Sequence, residues 1–264
     1  MKLCMMSCMM GSTPPKEIVR TAVSCGMTAI DWVTTHGNDP RELKKISQDA
    51  GLKIAAHTMV KYKFLRREPD YLDEFKYSLD DACELEAPIL MIPPFARKDQ
   101  KSLEDDRKAW TEYYAQVCPL AQEAGITLTL ESTGLRDSPI VTADEVLEVI
   151  GQVPGLKLVF DIGNTATADD PIQAYRKLRE HVVHIHLKDR KIYDREEPGS
   201  LLKRNGKYFR PAVIGEGDLG LKKFWEEVDS RGRKLYVNLE TQDYSEARNH
   251  AKILRNASDF LWGW

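Results

Sequence analysis

Residues 181–189 read HVVHIHLKD, an alternation of apolar and imidazole side chains that predicts a strand ending in charged residues. Three other strand-like runs end in a similar way: ITLTLES at 126–132, LKLVFDIGN at 156–164 and KLYVNLET at 234–241. The last inward-pointing position of each run carries an acid or an imidazole, at Glu131, Asp161, His186 and Glu240. Three carboxylates and one imidazole suit a divalent metal. Four strands that deliver them to the same end indicate a barrel with a metal site.

Strand-like and helical patterns alternate along the chain. The strand-like runs lie at about 2–7, 28–33, 53–58, 88–92, 126–131, 157–161, 182–187 and 235–240. The helical patterns lie at about 14–25, 39–50, 70–85, 103–124, 142–151, 169–180, 219–231 and 244–261. Eight strand–helix units in 264 residues match the size of a (β/α)8 TIM barrel. Composition does not change along the chain, which predicts a single domain, residues 1–264. A long irregular stretch is expected at about 190–218, and loops of that length are usually functional.

The composition argues against some classes of binding partner. The formal net charge of −3 provides no basic field for nucleic acid or for an anionic membrane. Five cysteines without CxxC spacing are typical of reduced thiols in a cytoplasmic protein. The apolar opening MKLCMMSCMM is too short for a membrane span and lacks a cleavage site, so strand 1 is expected there. A homo-oligomer remains an open alternative.

Alternate residues of a strand share a face, so strand parity predicts which side chains enter the barrel. The expected interior residues are Thr129, Val159, Val182, His184 and Asn238. The residues expected to pack beneath the outer helices are Leu128, Phe160, Ile185 and Leu239. The same reasoning places His57 at the inward end of the strand at 53–58.

Several short segments together resemble a known family. They are TLTLE at 127–131, DIGN at 161–164, HIHLKD at 184–189, GEGDL at 215–219 and NLE at 238–240. They are similar to the sugar phosphate isomerase/epimerase superfamily with its xylose isomerase-like TIM barrel, which includes D-tagatose 3-epimerase, hydroxypyruvate isomerase and inosose dehydratase relatives. The resemblance implies a divalent metal on Glu131, Asp161, His186 and Glu240, with the two glutamates as the acid/base pair. It also implies a substrate contact for Arg190. The epimerases usually carry His where this chain has Asn164, which can hydrogen-bond a hydroxyl but cannot shuttle protons.

The ligand set indicates the chemistry. One Mn²⁺, Mg²⁺ or Co²⁺ ion is expected, with Zn²⁺ as a further candidate. Such an ion would polarise a sugar carbonyl and stabilise the enediolate left when a carboxylate removes the neighbouring proton. Glu131 and Glu240 are the expected catalytic residues. The expected substrate contacts are His57, Trp32, Asn164, Lys188, Arg190 and Glu216.

Several functions remain open at this stage. The first is a metal-dependent sugar isomerase or epimerase. The second is a metal-dependent lyase or dehydratase acting on an inosose, a keto-sugar or a keto-glycoside, which Lys188 and the charged stretch at 190–214 keep open. A remote third is an endonuclease IV-like nuclease, which would need several histidines and a basic face; the chain has six histidines and a negative net charge. A metal-free binding protein is the last alternative.

Overall fold

A computed structural model describes residues 1–240 and 250–263. Eight parallel strands close into a barrel. These strands are β1 (Lys2–Met6), β2 (Ala29–Val33), β3 (Lys53–Thr58), β4 (Ile89–Ile92), β5 (Thr127–Glu131), β6 (Lys157–Asp161), β7 (Val182–Leu187) and β11 (Tyr236–Leu239). Their order around the barrel is β1-β11-β7-β6-β5-β4-β3-β2. The predicted (β/α)8 TIM barrel is confirmed, and its active face is expected at the carboxyl ends of the strands.

Helices surround the barrel. They are α1 (Pro15–Ser24), α2 (Pro40–Asp49), α3 (Tyr62–Leu65), α4 (Tyr71–Leu85), α5 (Leu103–Glu123), α6 (Ala143–Gln152), α7 (Ile162–Thr165), α8 (Pro171–Leu178), α9 (Leu221–Glu227) and α10 (His250–Trp262), with 3₁₀ turns at Ser7–Met10 and Gly232–Lys234. The helix predicted at 219–231 is shorter than expected. The first residues of the helix predicted at 244–261 lie outside the described part. Among the described helices, none has the length and apolar character needed to cross a membrane.

The inward and outward faces predicted from strand parity are confirmed in β6 and in most of β7. Phe160 stacks on Phe224 of α9 with ring centroids 5.6 Å apart, so it faces the helices. Val159 packs instead with Met6 and Met91 inside the barrel. Leu128, Ile185 and Leu239 belong to the large core beneath the helices. Val182 joins that core too, contrary to its predicted inward position, because the β6–β7 register shifts between Leu158 and Val159.

A β-bulge reverses the faces at the end of β3. Ile30 of β2 pairs with Ile54, but the next residue, Asp31, pairs with Ala56, so one residue of β3 is extra. A bulge of this kind exchanges the faces of all the residues that follow. Thr58 therefore points inward, where its hydroxyl donates to Asp31. The predicted inward position of His57 is wrong for this reason.

The stretch at 190–218 is more ordered than the sequence suggests. It contributes to a three-stranded antiparallel sheet of β8 (Asp189–Tyr193), β10 (Tyr208–Ala212) and β9 (Leu201–Leu202). This sheet follows β7 directly, so it rises from the carboxyl end of the barrel beside the four predicted ligands.

Candidate metal centre and active site

Four side chains from four neighbouring barrel strands meet at the carboxyl end. Each of them offers one ligand atom, and these atoms all lie within 4.8 Å of one another. The residues are Glu131, Asp161, His186 and Glu240. Because β5, β6, β7 and β11 are adjacent in the barrel, residues far apart in sequence are brought to one point. This is the set that the sequence analysis singled out.

His186 lies between the two glutamates. Its Nδ1 is 2.8 Å from Oε1 of Glu131 and 2.9 Å from Oε1 of Glu240. Burial by itself would lower the pKa of His186, but the charge and hydrogen bonds of the two carboxylates outweigh it and raise the pKa to about 10. The electrostatics of the site therefore favour a positive charge at this point.

The ammonium of Lys188 contacts both Asp161 and Glu240. Nζ of Lys188 lies 2.9 Å from Oδ2 of Asp161 and 2.5 Å from Oε2 of Glu240. Burial raises the pKa of Asp161, despite the nearby ammonium. In Glu240 the opposite holds, because Lys188 and His186 outweigh burial and lower its pKa. Lys188 reaches this position across Gly163, where a β-carbon would lie 2.2 Å from the Cγ of Lys188.

The donor set fits a divalent ion. Three buried or nearly buried carboxylates converge on one point, an arrangement that positive charge close by stabilises. Carboxylate oxygens with one imidazole are ligands for Mn²⁺, Mg²⁺ or Co²⁺, and Zn²⁺ accepts the same donors. The residues that would hold such an ion are Glu131, Asp161, His186 and Glu240.

A second polar layer, which the sequence analysis did not assign to the site, lies beneath these four residues. Asp31 is fully buried and offers a ligand atom within 4.8 Å of those of His184 and His186. Burial raises the pKa of Asp31 to about 6 and lowers the pKa of His184. Asn238 places its Nδ2 3.3 Å from Nε2 of His186. Strand parity in AIDWV could have identified Asp31, because it lies two positions after the inward-facing Ala29.

A cavity of about 310 Å³ is lined by two of the four donors, Glu131 and Glu240, whereas Asp161 and His186 are fully buried. Its polar wall contains Glu131, Thr58, Asn164, Lys188, Arg190, Lys203 and Glu240. Its apolar wall contains Met6, Met9, Val33, Met91, Phe95 and Leu135. A ligand that fills the cavity would therefore contact both polar groups and apolar side chains.

Three of the predicted substrate contacts line this cavity, namely Asn164, Lys188 and Arg190. Asn164 donates from Nδ2 to the carbonyl of Ser132 at 2.8 Å, which fixes its orientation. Glu216 is exposed and is not part of the cavity wall.

The structure does not bring Trp32, an expected substrate contact, to the cavity wall. Trp32 is fully buried, and its Nε1 donates to Oγ of Ser47 in α2 at 3.2 Å. Since Asp31 faces the interior, the next residue must face the helices. The displaced His57 is also absent from the cavity wall; its Nδ1 lies 2.8 Å from the carbonyl of Trp32. Burial lowers the pKa of His57 to about 4.

The chain belongs to the family of xylose isomerase-like TIM barrels, whose family model matches residues 19–261. Two curated relatives are uncharacterised proteins. One, from Methanocaldococcus jannaschii, is 22% identical over 190 residues, which cover 67% of this chain and 59% of the relative. The other, YihM from Escherichia coli, is 29% identical over 110 residues, which cover 41% of this chain and 30% of the relative. The matches thus span less than two thirds of these relatives.

Solved structures share the fold at low sequence identity. The IolI protein with a bound zinc atom superposes with a TM-score of 0.80 at 16% identity, covering 99% of this chain and 96% of that one. The 3-keto-D-glucoside 4-epimerase YcjR of E. coli gives 0.78 at 16% identity, with both chains covered completely at 100%. A probable 3-DHS dehydratase, AsbF, from Bacillus anthracis gives 0.76 at 17% identity, covering 99% of each chain.

Proposed function

We propose that this protein is a divalent-metal-dependent sugar isomerase or epimerase that removes a proton next to a substrate carbonyl. The observation that carries the proposal is the convergence of Glu131, Asp161, His186 and Glu240, two of which, Glu131 and Glu240, line a cavity. Fold neighbours that include an epimerase and a zinc-bound protein support it. When bound, the ion would polarise the carbonyl and so make the adjacent C–H more acidic.

The two glutamates are the candidates for proton transfer. They lie on either side of His186, at 2.8 and 2.9 Å from its Nδ1. Burial would raise the pKa of Glu240, but Lys188 and His186 lower it, so this carboxylate is ionised at neutral pH. As a base it would accept the substrate proton in this form. Glu131 would serve the opposite face of the substrate carbon. Return of the proton to the other face gives epimerisation, and its return to the neighbouring carbon gives isomerisation.

Lys188 has two roles in this proposal. Its ammonium reduces the repulsion between Asp161 and Glu240, since it lies within 2.9 Å of both. It also lines the cavity, where it can donate a hydrogen bond to a substrate oxygen. The nearby carboxylates outweigh burial and raise the pKa of Lys188, so the side chain stays protonated.

A metal-dependent lyase is the second candidate, and Lys188 is the observation that favours it. After proton abstraction by a glutamate, a β-hydroxyl could leave as water with a proton from this ammonium. The bond between carbon and the leaving oxygen breaks, and its electron pair goes to that oxygen. A probable dehydratase shares the fold.

Proton exchange in D₂O distinguishes the candidates. The metal-loaded protein is incubated with ketoses, inososes and 3-keto-glycosides, and mass spectrometry follows deuterium incorporation and product mass. A product of unchanged composition that carries deuterium is expected for an isomerase or epimerase. A product lighter by one water identifies the lyase. The matched control is His186→Ala, which should show neither reaction. Exchange that is equal in this variant and the wild type would contradict the proposal.

A further inference from the structure

Two basic side chains on the cavity wall, Arg190 and Lys203, have no acidic partner in the part of the chain that the structure describes. Arg190 and Lys203 form no ion pair with any carboxylate in residues 1–240 or 250–263, although both line the cavity. By contrast, basic residues close to them in sequence form ion pairs. Lys191 pairs with Asp218, Arg204 with Glu145 and Lys207 with Asp194. Arg190 and Lys203 thus line the cavity without a carboxylate partner, unlike the cations next to them in sequence.

Keeping these cations together is unfavourable without an anion. Lys203 is partly buried, and burial together with repulsion from Arg190 and Lys188 lowers its pKa to about 8. The attraction of Asp137 does not compensate for these effects. An anionic ligand would relieve both the desolvation and the repulsion.

The turn that carries Lys203 is fixed to the barrel. The next residue, Arg204, makes two bonds to the carboxylate of Glu145, at 2.8 and 2.7 Å. Asn205 donates its backbone N–H to the carbonyl of Thr167 at 3.0 Å and its Nδ2 to the carbonyl of Ala166 at 3.1 Å. These contacts hold the turn over the cavity, so the position of Lys203 does not depend on a partner of its own.

Arg190 is fixed at the base of the same sheet. The carboxylate of the preceding residue, Asp189, accepts from the backbone N–H of Gly215 and of Gly217, both at 3.0 Å. Gly217 has to be glycine here, because a β-carbon would lie 1.9 Å from Oδ1 of Asp189. The segment at 215–217 therefore braces the start of β8, where Arg190 projects.

We propose that the sheet β8–β10–β9 presents Arg190 and Lys203 to bind an oxyanion group, a carboxylate or a phosphate, on the sugar substrate. The proposal rests on the proposed function, since it places the sugar between this pair and the four metal-ligating residues. Elsewhere the cavity wall includes Met9, Phe95 and Leu135, whose side chains offer no hydrogen-bond donor to an anion. The charged end of the substrate is thereby directed to the sheet.

The test is a binding measurement that needs no turnover. Isothermal titration calorimetry with the metal-loaded protein compares D-fructose, D-fructuronate and D-fructose 6-phosphate, which share a ketose skeleton and differ in charge. Charge-assisted hydrogen bonds are worth about 1.5–3 kcal/mol, so at least one anionic sugar should bind roughly 10- to 100-fold more tightly than fructose. If D-fructuronate shows the larger increase in affinity over fructose, the bound group is a carboxylate. If D-fructose 6-phosphate does, it is a phosphate.

Variants assign the effect to the proposed pair. Lys203→Met keeps the aliphatic stem of the side chain. In this variant the ratio of the affinities for the anionic sugar and for D-fructose should fall to near unity, and Arg190→Met should have the same effect. Lys207→Met is the matched control, because this exposed lysine lies on the same turn and pairs with Asp194; it should keep the full preference. Equal affinity for all three sugars in the wild type, or a preference that survives Lys203→Met in a protein with unchanged melting temperature, would overturn the inference. Anion binding without proton exchange would contradict the proposed function alone.

Discussion

Nδ1 of His186 lies 2.8 Å from Oε1 of Glu131, although the two residues are 55 positions apart. The barrel makes this contact, because β5 and β7 both pair with β6. One atom of His186 thus contacts both candidate bases, since Glu240 lies 2.9 Å away on the other side. Removing His186 and removing one glutamate should therefore have different consequences.

Glu131→Gln should separate metal binding from proton transfer. The amide keeps an oxygen ligand and the size of the side chain but removes the basic oxygen. We expect metal to be retained and proton exchange to fall by ~10²–10⁴-fold, the usual contribution of a positioned base. His186→Ala should instead lose metal and exchange together. Elemental analysis paired with single-turnover exchange in D₂O measures both. A Glu131→Gln protein that exchanges at the wild-type rate would leave Glu240 as the base.

Trp32→Phe should affect stability and not substrate binding. The change removes the hydrogen bond from Nε1 to Ser47 and part of a fully buried ring. We expect the free energy of unfolding to fall by about 1–3 kcal/mol, with unchanged substrate affinity. Urea denaturation and calorimetry measure the two quantities. Ser47→Ala is the control, because it removes the same bond from the other side. A large loss of affinity in Trp32→Phe alone would restore Trp32 as a contact.

The buried Lys61 should make stability depend on pH. Its Nζ donates to Oγ of Ser78, and the side chain is fully buried. Burial lowers its pKa to about 8, despite the attraction of Glu74 and Asp81. Since the unfolded chain keeps this proton up to about 10.5, the free energy of unfolding should rise between pH 8 and 10.5, by roughly 3 kcal/mol.

Comparison with Lys61→Met separates the effect of Lys61 on the free energy of unfolding from the effects of other titrating groups. Denaturant unfolding of both proteins is measured at several pH values across that window. The difference between wild type and variant should change with pH in the stated direction. A difference that is constant from pH 7 to 10.5 would show that Lys61 titrates normally.

Binding of a sugar carboxylate should weaken above neutral pH. Lys203 has a pKa of about 8 because of burial and of repulsion from Arg190 and Lys188, against the weaker attraction of Asp137. It therefore loses its charge as pH rises through 8, and the affinity for D-fructuronate should fall over that range. Lys203→Arg stays charged and should remove the dependence. Titration calorimetry at pH 7 and 9 tests this, and an identical fall in both proteins would refute it.

Local patterns in the sequence were enough to predict the barrel and the four side chains that converge at its carboxyl end. Strand and helix periods alternate locally, and strand parity depends on adjacent residues alone. Glu131, Asp161 and His186 could therefore be placed at inward strand ends, and Phe160 at an outward position, before any contact was known. Barrel closure then requires the four donors to meet, since their strands are neighbours.

The tertiary structure decided what local periodicity cannot encode. The β3 bulge, seen in the pairing of Asp31 with Ala56, turned His57 away from the cavity and Thr58 toward it. The sheet that carries Lys203 forms by pairing of segments whose composition predicts a loop, and Arg204 holds it through Glu145, 59 positions away. Such pairings depend on the energy of contacts between distant segments, and a one-residue shift exchanges the faces of a strand. The composition of the cavity wall therefore depends on the fold as a whole.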